Sequence, residues 1–150
     1  GFLQPHHKRK SMIENIREKY GHAIILDCHS MTQFDPQYRG GKQRPQIDIG
    51  DRHGETCASD LSERIAMLFE QRGYEVGINR RFPGGEITLR YGWPEINQHI
   101  MQIEIRRDLY MNEETRQRSS DFTKVQADCS QVLREFKKYV EARSLNDNRR

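Results

Sequence analysis

The order of apolar and polar residues along the chain predicts strands and helices in alternation. Ile24, Ile25 and Leu26 form an apolar run that is typical of a strand buried on both faces of an α/β sheet. We predict that this strand covers residues 23–27 and ends in polar side chains. Further strands are predicted over the following stretches: 47–49, 75–78 and 99–107.

Helices are predicted where apolar residues recur at helical spacing, which is the case in residues 7–20, 57–71 and 122–142. A short helix or turn is predicted over 88–93, and a loop over 32–45, where proline and glycine cluster. Strands that alternate with helices indicate an α/β fold of three layers, with a mixed, mostly parallel sheet between helices. Its helix-then-strand start predicts that an N-terminal part is lacking.

Composition narrows the class of protein. The chain has 150 residues, which suits a single α/β domain over 1–150, and no internal repeat is visible. No apolar run approaches the roughly 20 residues of a membrane span. The net charge of +3 comes from 25 basic and 22 acidic residues, which is too mixed to indicate nucleic-acid binding. We therefore expect neither a membrane nor a nucleic acid as partner.

The three cysteines, Cys28, Cys57 and Cys129, are widely spaced and form no C-x-x-C motif. This predicts free thiols in a reducing compartment, the cytoplasm. A catalytic pair of Cys28 and His29 is not expected, because adjacent strand residues point to opposite faces.

The strand predicted at 99–107 carries an acid that needs an explanation. Glu104 lies between Ile103 and Ile105, and an unpaired buried carboxylate is costly. One interpretation is an ion pair with Arg106 or Arg52. The other is a general base with a tuned pKa, which could activate a metal-bound water.

His29 follows the first apolar strand, where open α/β sheets place their sites. It is either a metal ligand or a histidine satisfied within the core or a turn. A catalytic zinc needs about three protein ligands, and spacing alone supplies no clear partners. The further candidates are Asp51, His53, His6 and His7.

The order of several motifs resembles the N-formylglutamate amidohydrolase family over nearly the whole chain. The motifs are Asp27-Cys28-His29-Ser30-Met31, Asp48-Ile49-Gly50-Asp51-Arg52-His53-Gly54, Asn79 with Phe82, Gly84-Gly85 and Ile87-Thr88, Tyr91-Gly92, Gln102-Ile103-Glu104-Ile105, and Leu109-Tyr110-Met111.

This resemblance implies a phosphorylase/hydrolase-like fold, similar to zinc carboxypeptidases and aspartoacylase-type deacylases. It implies an amidase of N-acyl amino acids, with N-formyl-L-glutamate as the reference substrate. His29 would be one ligand of Zn²⁺ and Glu104 the catalytic base. The two further zinc ligands would come from an N-terminal segment that this sequence lacks.

The resemblance also implies a pocket for the substrate. Arg52, and after it Arg81, would hold the carboxylates, since a guanidinium matches carboxylate geometry. Four more residues would line the pocket: Asn79, Gly84, Gly85 and Thr88. The glycines are equally explained by turn geometry alone, and the arginines by a solvated surface.

A second function class remains open, in which the chain is a non-enzymatic binding domain for an acidic metabolite with an incomplete metal site. In either case, apolar surface left uncovered would favour a homodimer or self-association.

Overall fold

The computed structural model describes residues 4–37 and 40–147, with side chains from residue 8 to residue 144. Its main elements are α1 Gln4–Tyr20, β1 Ala23–Met31, β2 Phe34–Asp35, β3 Lys42–Gln43, β4 Ile47–Gly50, α2 Ser59–Glu70, β5 Val76–Ile78, α3 Glu86–Tyr91, β6 Gln98–Arg106 and α4 Phe122–Asp147. Within these ranges no helix combines the length and the apolar character needed to cross a membrane.

Four strands form one sheet in the order β1-β6-β4-β5. β1 runs parallel to β6 and β4 runs parallel to β5, while β4 and β6 are antiparallel. The prediction of a mixed, mostly parallel sheet is therefore confirmed. β2 and β3 form a separate antiparallel pair.

Helices cover both faces of this sheet. On one face, α2 packs through Leu61 and Ile65, and α4 through Val132, onto Met101 and Ile103 of β6. The spacing of Leu61, Ile65, Leu68 and Phe69 had predicted α2, and all four are buried.

On the other face, only half of the sheet surface is apolar. Ile13 of α1 and Tyr91 of α3 pack onto Ala23 and Ile100, near the amino-terminal ends of β1 and β6. Further along these strands the same face becomes polar. The candidate site lies where this face of the sheet changes from apolar to polar side chains.

Two local predictions need correction. β1 continues to Met31, because its pairing with β6 persists as far as Arg106. His29 therefore lies within the strand and not beyond its end. The stretch predicted as loop contains β2 and β3, which are too short to leave a periodic signal in the sequence.

Candidate active site

Three polar side chains form a row across the sheet on its half-polar face. The strand register pairs His29 of β1 with Glu104 of β6, and Glu104 with Asp48 of β4. Residues paired directly across neighbouring strands project to the same face. The two side chains that the sequence singles out as metal ligand and base thus lie side by side on adjacent strands.

Glu104 is a buried carboxylate with one satisfied oxygen. Its Oε1 accepts a 2.6 Å hydrogen bond from Nε2 of Gln102, whereas Oε2 is buried without a partner among the described residues. Burial raises the pKa of Glu104, and Asp48 adds to that rise, while Gln102, His29 and Arg44 oppose it. Raised proton affinity and an open oxygen suit a general base.

The alternative explanation of Glu104 as half of an ion pair is wrong. The guanidinium of Arg106 binds both carboxylate oxygens of Asp108, at 2.8 and 2.9 Å, and donates to the carbonyl of Arg44. The Arg52 guanidinium donates to the Gly84 carbonyl. Neither arginine neutralises Glu104.

Gln102 connects Glu104 to the glycine-rich loop. Its Oε1 accepts a 3.0 Å hydrogen bond from the backbone N–H of Gly85, which leaves its Nε2 to donate to Glu104. The amide is therefore held from both ends and fixes the rotamer of the carboxylate. The sequence analysis included Gln102 in a motif with Glu104 but gave it no role.

His29 is oriented by an acid on its own strand. Its Nε2 lies 3.0 Å from Oδ2 of Asp27, and about 44% of the side chain is exposed. A histidine whose one nitrogen is held by a carboxylate presents the other, here Nδ1, to a ligand. Cys28 points to the opposite face, and burial raises the pKa of its thiol, so it does not pair with His29.

Asp48 anchors the loop that follows β5, a role that sequence reasoning missed. It is fully buried and accepts three backbone hydrogen bonds, from Arg80 at 3.2 Å, Arg81 at 2.7 Å and Phe82 at 3.0 Å. The signal was present, since Ile47-Asp48-Ile49 places an acid inside an apolar strand, as Ile103-Glu104-Ile105 does.

The same loop packs directly on the backbone of β4. A Cβ on Gly50 would lie 2.2 Å from the carbonyl oxygen of Phe82, so only glycine permits this approach. Gly84 has a φ of +123°, and its carbonyl binds Arg52. Thr88 is fully buried and donates to the Gly85 carbonyl, so it supports the loop from beneath.

Asn79 and Asp51 bind each other. The Asn79 amide donates to Asp51 Oδ1 at 2.7 Å and accepts from the Asp51 backbone N–H at 3.1 Å. Ser62 donates to the other Asp51 oxygen. Both oxygens of Asp51 are thus engaged, which argues against Asp51 as a metal ligand. His53 is exposed with a φ of +58°.

The two arginines proposed to hold substrate differ in their surroundings. Arg52 is held by the Gly84 carbonyl at 3.1 Å, with Glu55 at 3.8 Å. Arg81 pairs with the buried Asp35 at 2.5 Å and remains about one-third exposed. Both border the loop that Asp48 anchors.

The described residues contain no group of three or more His, Cys, Asp or Glu side chains placed to hold a metal ion. The side chains of His6 and His7 lie outside the described residues. His29, with one nitrogen held by Asp27, has the chemistry of a single ligand. This part of the chain does not by itself make a zinc centre.

Comparisons with known proteins agree with this geometry. Residues 2–111 match the sequence model of the N-formylglutamate amidohydrolase family. The N-formylglutamate deformylase of Pseudomonas putida is 35% identical over 102 residues, and that of Pseudomonas aeruginosa 31% over 112 residues. These alignments cover 67% and 73% of this chain but only 38% and 42% of those proteins.

Two solved structures share the fold of this chain. The crystal structure of N-formylglutamate amidohydrolase from Ralstonia eutropha JMP134 superposes with a TM-score of 0.83 and 27% identity. The match covers 94% of this chain and 52% of that protein. A gene product of Agrobacterium tumefaciens, 22% identical with a TM-score of 0.62, shares the fold and covers 91% of this chain and 51% of its own.

Proposed function

Since this chain belongs to the N-formylglutamate amidohydrolase family, we propose that it contributes to an active site that hydrolyses the amide bond of an N-acyl amino acid. The reference reaction converts N-formyl-L-glutamate into formate and L-glutamate. The observation that carries this proposal is Glu104, a buried carboxylate with one open oxygen beside His29.

In this proposal Glu104 is the general base. Its Oε2 accepts a proton from the attacking water, and Gln102 holds Oε1 so that the open oxygen keeps its direction. The raised proton affinity of Glu104 favours this transfer. The proton then passes to the leaving amine, which must be protonated when the C–N bond breaks.

We further propose that the site is zinc-dependent, on a fold of the zinc-carboxypeptidase type. His29 would bind the metal through Nδ1, since Asp27 holds its Nε2. Two further protein ligands would come from a segment outside these 150 residues. Zinc, when bound, lowers the pKa of water and polarises a carbonyl.

The substrate would bind against the loop anchored by Asp48. Arg52 and Arg81 are proposed to hold its carboxylates, because guanidinium groups bind carboxylates in two-pronged geometry. Asn79, Gly84, Gly85 and Thr88 would shape this pocket. Arg81 has the more accessible side chain of the two arginines.

The test uses a longer version of the protein that covers the full length of its relatives. Glu104→Gln should reduce kcat for N-formyl-L-glutamate by about 10²- to 10⁴-fold, the usual contribution of a general base. Zinc content should stay unchanged. Glu114→Gln, at an exposed acid, is the matched control. Activity of Glu104→Gln within a few-fold of the control would overturn the assigned role.

A binding function remains the second candidate, favoured by the lack of a three-ligand group among the described residues. It predicts that the 150-residue chain binds N-formyl-L-glutamate without zinc and without hydrolysis. Calorimetry and metal analysis of the same sample separate the two: stoichiometric zinc with formate release favours the enzyme.

We also propose self-association, as a homodimer, and a cytoplasmic location. An apolar groove of about 630 Å³ runs beside β1, an edge strand, and exposes Ile16, Tyr20 and Leu133. Light scattering should show a dimer that Leu133→Lys dissociates. The free thiols of all three cysteines support a reducing compartment.

A further inference from the structure

A separate cavity of about 420 Å³ lies between α1 and the segment that follows α3. Gln98, which lines it, precedes Glu104 on β6 by a distance of about 20 Å along the strand. Ile100 lies between them and is fully buried. The cavity is therefore distinct from the candidate active site, and its volume falls in the usual range for small-molecule pockets.

One wall of this cavity is formed by Trp93, whose backbone is held by hydrogen bonds. The Trp93 side chain is 49% exposed. Its backbone N–H donates to the Gln98 carbonyl at 2.7 Å, and its backbone carbonyl accepts from the backbone N–H groups of Gln98 and Ile96. Ile96 is itself 42% exposed. Two large apolar side chains are thus held toward solvent by a hydrogen-bonded turn, beside the buried Tyr91.

The polar lining of the cavity is predominantly cationic. Lys10, Arg17 and Arg90 line it together with a single acid, Glu14. Lys10 and Glu14 are 3.9 Å apart and well exposed, so their attraction is weak. Arg90 forms an ion pair with Glu86, so the excess positive charge of the lining resides on Arg17.

Arg17 is the cation best placed to bind a ligand. Within the described part of the chain, its side chain has one hydrogen-bond partner, the neutral Gln98 amide at 3.3 Å, and no carboxylate lies within ion-pair distance of it. A half-buried guanidinium without an acid gains from a carboxylate, which it binds more strongly than a neutral amide. Together with the Trp93 indole, it defines both ends of a ligand.

We propose that this cavity binds a small aromatic carboxylate. The ligand ring lies against Trp93 and Ile96, where offset or edge-on ring contacts are favourable. The ligand carboxylate pairs with Arg17, and Lys10 adds longer-range attraction.

The test uses Trp93 as its own reporter, because it is the only tryptophan in the chain. Its indole N–H gives one signal in a ¹H–¹⁵N NMR spectrum of the 150-residue protein. Benzoate should shift this signal saturably, with a dissociation constant at or below about 10 mM. Benzamide, which has the same shape without the charge, should bind at least about tenfold more weakly.

Matched variants locate the carboxylate. Arg17→Gln should weaken benzoate about tenfold, whereas Arg134→Gln, at an exposed arginine of α4, should change nothing. Glu104→Gln should also leave benzoate binding unchanged, which separates this cavity from the candidate active site. An indole signal that does not saturate, equal binding of benzamide, or equal effects of the two arginine variants would overturn the proposal.

Discussion

Asp48 and Glu104 are two acids in the same local sequence, paired with each other across neighbouring strands. Each stands between two isoleucines, and each is at least 94% buried. Asp48 accepts three backbone N–H groups, whereas Glu104 accepts one side-chain donor and keeps one oxygen open. The same local sequence pattern thus gives one carboxylate with hydrogen bonds to both oxygens and one with an open oxygen.

The hydrogen-bond donors around a buried acid, and not its position in the strand, therefore decide its role. Three backbone N–H donors hold Asp48 as a structural anchor of the loop. Glu104 lacks that support, so burial raises its pKa and leaves capacity for a proton. Four experiments test this contrast.

The largest expected effect is on the anchor. Asp48→Ala leaves three loop N–H groups without their acceptor, so the free energy of unfolding should fall by about 3 to 5 kcal/mol. Urea denaturation measures this loss. Asp48→Asn retains one acceptor oxygen and should lose roughly half as much. If the alanine and asparagine variants were equally stable, the anchoring role would be refuted.

A second titratable residue on β6 extends the contrast to the opposite face. His99 is 2% exposed, its Nδ1 accepts the Ala58 N–H, and burial lowers its pKa to about 4. Between about pH 4 and pH 6.5, the unfolded chain therefore binds a proton at His99 that the folded chain does not bind. The contribution of neutral His99 to stability is fully present above about pH 6.5. Roughly 3 kcal/mol of the free energy of unfolding should be lost as pH falls to 4.

His99→Asn tests this pH dependence, because the asparagine oxygen can replace Nδ1 as acceptor of the Ala58 N–H. Its free energy of unfolding should fall less steeply than that of the wild type between pH 6.5 and pH 4. His53→Asn, at an exposed histidine, is the control. Parallel curves for both variants would contradict the assignment.

For Glu104 the sign is reversed. Its raised pKa means that the fold holds the proton more tightly than the unfolded chain does. This contribution to stability is present below the unfolded pKa of about 4.3 and is lost as pH rises through the folded pKa. Glu104→Gln should therefore gain stability relative to wild type as pH rises through the folded pKa. A stability difference that stays constant, or that moves in favour of the wild type as pH rises, would count against it.

The smallest effect concerns Gln102. Gln102→Met removes the donor to Oε1, and because that hydrogen bond lowers the pKa of Glu104, the pKa should rise further. The ¹³C shift of the Glu104 carboxyl during a pH titration measures this. Gln131→Met, on α4, is the control. An unchanged or lower pKa would show that Gln102 does not tune the acid.

The sequence was sufficient to predict that Glu104 stands on a strand of an α/β sheet and that His29 lies at the carboxyl end of another. Apolar runs and the alternation of apolar and polar residues are local properties, so the sequence alone reveals them. The register that pairs His29 with Glu104 and Glu104 with Asp48 depends on strand order, which no local pattern contains.

The partners of individual side chains were the least predictable part. Arg106 binds Asp108 and not Glu104, and Asn79 binds Asp51. Arg44 lies near Glu104 only because the loop before β4 folds back: its guanidinium donates to Thr32 and lies near Asp35. Such choices depend on long-range packing between loops that carry no periodicity.

The amide of Gln102 spans from a backbone N–H of the glycine loop to the carboxylate of Glu104, and it couples two equilibria. A ligand that draws Gly85 away frees the amide to turn, which alters the affinity of the acid for a proton. By thermodynamic reciprocity, proton uptake at the acid must alter the affinity of the loop for that ligand. Ligand affinity at the glycines should therefore vary with pH although the loop itself carries no titrating group at that point.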